Sequence, residues 1–204
     1  MKKSLLLAFA IISCTIIAQP SITSTSFNSY SDVGALYFAS SNSIGFGAAG
    51  ANQTWDFSSL VLGDDGNYSG VAVATAPYSN EFANANFFVK NTNVGFEDIY
   101  DIFTINSAKL DILGSTRDIG TIEIYTNPRT VYVFPFNYTN SFSDTYQILG
   151  ESLISTTITY DGYGTLITAF GTYPNVVRIK TEEGNSVGYT WAIPSPYREI
   201  VFAS

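Results

Sequence analysis

Among the side chains of this sequence that could do chemistry, the carboxylates come first. There is no histidine, and the one cysteine is Cys14. That excludes a Ser-His-Asp or Cys-His nucleophile system and a zinc site built on His or Cys. Glycoside hydrolysis remains open, because it needs only two carboxyl groups, about 5–5.5 Å apart for retention or about 6.5–9.5 Å for inversion. Glu123, beside Tyr125 on its strand face, and Glu199, beside Tyr197, are the pair such chemistry would use. Neither sits in a glycosidase motif. A glutamate on the polar face of a strand is usually only solvated, so the pair stands as the alternative reading.

Recognition without covalent chemistry needs flat apolar faces and hydrogen-bonding tips. Tyr160, Tyr163, Tyr173 and Tyr197 fall at or near expected turns and strand ends, with Asp161 among them. Exposed loop aromatics mixed with Asp, Asn and Ser suit carbohydrate or protein recognition. Trp55 and Trp191 fall on the apolar faces of alternating stretches, which assigns them to the core rather than to sugar stacking. Asp64, Asp65 and Asn67 surround Gly66 and offer calcium hard oxygen ligands. The spacing is not that of an EF-hand and lacks a distant bidentate Glu, so a solvated turn is the expectation, with no cofactor.

These residues must be positioned by strands. Only 13% of the residues are charged, and aromatic and β-branched types are abundant. Apolar and polar residues alternate with a period of two in 53–58, 108–113, 121–125, 177–180 and 187–193, the pattern of half-buried strands. Asn106-Ser107, Asp161-Gly162 and Glu183-Gly184-Asn185 read as hairpin turns, and Pro194-Ser195-Pro196 leads into a last strand at 197–203. The N-terminal half, spaced by Gly34, Gly45, Gly47, Gly50, Gly63, Gly66 and Gly70, reads as looser and rich in loops. Ten to twelve short strands predict an all-β, antiparallel two-sheet sandwich or jelly roll, a single domain over 19–204.

Residues 1–18 read as an export signal: Lys2 and Lys3, an apolar run from Leu5 to Ile17, and small Ala18 at the cleavage site. Cleavage before Cys14, in Ile11-Ile12-Ser13-Cys14, would instead give a lipid-anchored protein. Losing Lys2 and Lys3 leaves seven basic against 17 acidic residues, a net charge of −10. That argues against nucleic acid or an anionic membrane as partner.

Several phrases occur in a specific order: residues 50–58 (GANQTWDFS), 141–146 (SFSDTY), 160–166 (YDGYGTL), 171–180 (GTYPNVVRIK) and 189–191 (YTW). Together they resemble a family of secreted β-rich domains of gliding-type Bacteroidota, which often precede a C-terminal type IX secretion sorting domain. The resemblance spans most of the chain after the signal. It implies an extracellular β-rich domain and carries no assigned activity. No sorting domain is present among the residues up to Ser204, a departure from that pattern. The expectation is a secreted or cell-surface, non-catalytic module that binds a polysaccharide or a cell-surface protein.

Overall fold

The computed structural model describes residues 19–28, 34–39, 45–61, 63–92, 98–118 and 121–204, with the backbone alone for 34–39, 63–66 and 117–118. Residues 1–18, read as an export signal and including Cys14, lie outside the described residues. Twelve strands are present: β1 (Gly34–Ala39), β2 (Gly50–Phe57), β3 (Gly63–Val71), β4 (Phe87–Thr92), β5 (Ile99–Ile105), β6 (Lys109–Asp118), β7 (Thr121–Val133), β8 (Ser141–Ile148), β9 (Ile154–Thr168), β10 (Gly171–Glu183), β11 (Ser186–Pro194) and β12 (Tyr197–Ala203). The only helical elements among the described residues are short 3-10 turns such as Ser24–Phe27. None of them is long and apolar enough to cross a membrane.

The all-β class follows the two-residue alternation. Strands β3 to β12 pair with their sequence neighbours in antiparallel order, while β1–β12 and β2–β9 are parallel. The hydrogen bonding does not divide the strands into two separate sheets, as a sandwich would. All twelve belong to one order, and β9 also pairs with β10 along its other edge. Length and irregularity explain this. β9 has 15 residues, and its register against β10 shifts twice, between Tyr173 and Val176 and between Arg178 and Ile179. The β6–β7 pair shifts three times. Such bulges bend and twist a strand, so one ladder can curve around a core.

The second β9 shift corrects the hairpin expected at Asp161-Gly162. Those residues lie inside β9 rather than at a turn, because Arg178 pairs with Gly162 and Ile179 with Tyr160, leaving Asp161 as the extra residue of a bulge. Glycine is required three residues further on for a different reason: a Cβ on Gly164 would stand 1.9 Å from the Gln53 carbonyl oxygen of β2. The Asp64-Asp65-Gly66-Asn67 turn is likewise a strand, part of β3, and the glycine-rich N-terminal half supplies β1, β2 and β3. The turns at Asn106, at Gly184-Asn185 and at Ser195-Pro196 stand where the sequence puts them.

Aromatic packing fills the interior. Ile22 pairs with Phe136 by two backbone hydrogen bonds of 3.0 and 2.8 Å, which draws the segment after Pro20 into the core. Phe27 then stacks on Tyr197 at 4.7 Å and contacts Tyr132, Phe134 and Phe87. A second cluster joins Trp55 and Phe57 of β2 to Leu166, Val176, Trp191 and Ile200. Both tryptophans are buried, as the alternation requires.

Above this second cluster sits Arg178, 2% exposed. Its guanidinium donates to both Asp161 carboxylate oxygens, at 2.8 and 2.9 Å, and to the carbonyls of Phe46 and Gly47, at 2.6 and 3.1 Å. The rings of Trp55, Tyr189 and Trp191 surround it at 5.4, 5.0 and 5.8 Å. A planar cation with a rigid fork of donors suits such a site, and a lysine would not replace it. Asp161→Asn or Arg178→Met should each lower unfolding free energy by about 3–5 kcal/mol, because each leaves a buried charge without its partner. The double variant should lose less than the sum. Urea denaturation of the three variants measures this, and single losses near zero would contradict the assignment.

Candidate functional site

Strand alternation builds one cavity. Ile179, Thr181 and Glu183 of β10 face the same way, and Thr190, Gly188 and Ser186 of β11 stand directly opposite them in register. Together with Phe103 and Ile112 of β5 and β6, Val131 and Tyr132 of β7, Ile158 of β9 and Phe202 of β12, they line a cavity of about 440 Å³. Its middle is apolar. Its charged groups are Glu199 on one side and Arg129 with Glu183 on the other.

Each polar group has a defined setting. Tyr197 donates its hydroxyl to Glu199 Oε1 at 2.8 Å and shares a 2.6 Å hydrogen bond with the Tyr132 hydroxyl. Tyr132 in turn packs against Phe27, so the N-terminal segment backs this wall. At the other side Arg129 Nη2 lies 3.2 Å from Glu183 Oε2, both side chains about a third exposed (27% and 33%). The Arg129 guanidinium also stands 5.0 Å over the ring of buried Tyr146. A second cavity, of about 450 Å³, has uncharged lining that includes Phe27, Phe87, Asn86 and Asn106. The Asn86 side chain there is tied to the Ile105 backbone by two hydrogen bonds of 2.8 Å.

Most of the tyrosines proposed as exposed loop ligands are elsewhere. Tyr160 is fully buried in β9 and donates its hydroxyl to the Pro20 carbonyl at 2.9 Å. Tyr197 is 4% exposed, held by Tyr132, Glu199 and Phe27. Both are core residues: Tyr160 because β9 runs through the position read as a turn, and Tyr197 because it opens β12 with its ring packed inward on Phe27. Asp161 holds Arg178. Tyr163 is half-buried on β9, edge-on to Tyr138 at 5.2 Å, and Tyr173 is half-buried on β10 with Arg198 6.0 Å over its ring.

The carboxylates separate as well. Glu199 lines the cavity, whereas Glu123, half-buried on β7 opposite Ser115, is not part of its lining. Asp64 and Asp65 lie on β3 with side chains outside the described residues, and Asn67 is exposed opposite Thr92. Among the described residues no three His, Cys, Asp or Glu side chains gather as a metal site would require.

Sequence reasoning missed Arg129, Glu183, Thr181 and Thr190. The signal was the parity of the strands. Tyr125 lines the cavity while Ile124 is exposed, so the face of β7 read as polar is the inner one here.

The chain matches no family model, no curated protein and no solved structure.

Burial, and then the neighbouring Glu183 carboxylate, push the Tyr146 hydroxyl up to about 12, with Arg129 opposing. Burial raises Tyr132 and Tyr160 as well. An unfolded tyrosine ionises near pH 10, so above that pH the unfolded state loses a proton the folded state keeps. The stabilisation is complete below about pH 10 and is lost as pH rises to about 12. Tyr146→Phe should therefore flatten the fall of the urea midpoint across that window. An unchanged slope would show that Tyr146 is not so placed.

Proposed function

We propose that this chain is a secreted or cell-surface carbohydrate-binding module, non-catalytic, whose ligand occupies the cavity between β7 and β10–β12. One observation carries the reading: aromatic faces and hydrogen-bonding side chains converge in a single cavity of about 440 Å³. Sugars present apolar C–H faces that stack on aromatic rings and hydroxyls that need polar partners. Ligand pockets commonly measure about 300–1,000 Å³ and combine a mostly apolar lining with a few placed polar groups. Phe103, Tyr132 and Phe202 offer the faces, and Thr181, Thr190, Arg129, Glu183 and Glu199 the hydrogen-bonding groups. The export signal and the acidic balance support an extracellular setting. So does the resemblance to secreted Bacteroidota domains.

The protein-partner reading relied on Tyr160 and Tyr197 as exposed aromatics, and both are buried. Hydrolysis by Glu123 and Glu199 gains no support from the cavity, because Glu123 does not line it.

The test is binding of purified Gln19–Ser204 to an array of glycans and polysaccharides. Saturable binding is expected, without release of reducing ends from the bound glycan. Thr190→Phe should abolish binding at an unchanged melting temperature, since an aromatic side chain suits a strand and would fill the cavity. Absence of binding to every glycan, or binding untouched by Thr190→Phe, would refute the reading.

A further inference from the structure

The Arg129–Glu183 pair has more hydrogen-bonding capacity than the protein uses. Glu183 Oε2 is buried and lies 3.2 Å from Arg129 Nη2, and the Tyr146 hydroxyl stands against the same carboxylate. A carboxylate offers about four acceptor sites, so this one can take a further donor from outside the chain. Arg129 carries five N–H donors, and its described polar contact is that single one through Nη2. Its guanidinium carbon is held 5.0 Å from the centre of the Tyr146 ring, which limits how far the group can move. Nearby, Thr156 Oγ1 is buried without a hydrogen bond among the described residues, and Thr156 stands in register with Glu183.

Resting on the carbohydrate reading above, we infer that the ligand is anchored at this pair through a vicinal diol. One hydroxyl donates to Glu183 Oε2, and the oxygen of its neighbour accepts from Arg129. A diol supplies a donor and an acceptor on adjacent carbons, the complement of an acceptor and a donor held side by side. The ring then lies with its C–H face toward the apolar middle of the cavity, where Phe103 and Phe202 stand. The ligand class is a neutral pyranose with adjacent free hydroxyls. A ligand of the same shape without hydroxyl donors would shield the Glu183 carboxylate from water and give it no added hydrogen bond.

The probes are cellotriose, maltotriose and mannotriose, each beside its fully O-methylated form, followed by saturation-transfer NMR and calorimetry. The methylated forms keep the ring faces and lose the donors. For whichever triose binds, methylation should weaken binding about tenfold or more, the scale of one hydrogen bond to a charged group. Glu183→Gln and Arg129→Gln should each do the same with the melting temperature retained. Equal binding of native and methylated sugar would overturn the diol anchor. So would wild-type affinity in both variants while Thr190→Phe abolishes binding, and in either case the carbohydrate reading stands. No binding of any triose to the wild-type protein, together with an empty glycan array, would overturn both.

Discussion

The buried guanidinium of Arg178 is the interaction on which the rest of the structure depends. It sits on β10, takes both oxygens of Asp161 from the bulge of β9, and holds the carbonyls of Phe46 and Gly47 ahead of β2. Three aromatic rings, from β2 and β11, close around it. One side chain thus ties the stretch from Phe46 to Trp55 to strands β9–β11, more than 100 residues away in sequence. A charge at 2% exposure is tolerable only because its donors are matched and π faces supply the remaining surroundings. The bulge at Asp161 follows from the same requirement, since it aims the carboxylate at Arg178.

The cage and the cavity are two faces of one set of strands. Arg178 and Lys180 alternate along β10 with Ile179 and Thr181; the first pair faces away from the cavity and the second pair faces into it. Along β11, Tyr189 and Trp191 serve the cage while Gly188 and Thr190 line the cavity. Fixing the outer face therefore fixes the spacing of the inner one. The N-terminal segment works from another side, where Phe27 stacks on Tyr197, whose hydroxyl holds Glu199. The charged groups of the cavity are thus positioned by packing that is remote from them in sequence.

The alternation of apolar and polar residues was enough to read the strand class, the turns at Asn106 and Gly184, and the burial of Trp55 and Trp191. It misled at Asp161-Gly162 because local turn preference competes with a long-range need: the bulge exists to serve Arg178, 17 residues away. It misled again in the glycine-rich N-terminal half, which supplies β1, β2 and β3 where loops were expected. Tyr160 and Tyr197 were legible as aromatic but not as buried, since β9 runs past the turn expected after Tyr160 and the partners of Tyr197, Phe27 and Tyr132, are remote in sequence. Arg129 and Glu183 were hardest to see. Both look like ordinary surface charges until a curved ladder turns their strand faces inward.

The central claim is that the cavity between β7 and β10–β12 is a carbohydrate site. Amide chemical-shift mapping of the isotope-labelled protein, titrated with the glycan that binds best on an array, tests it most directly. The account predicts shifts concentrated at Thr181, Gly188, Thr190 and Phe202, the residues along the cavity wall. Shifts confined to the outer strand faces or to the cavity beside Phe87 and Asn106 would contradict it.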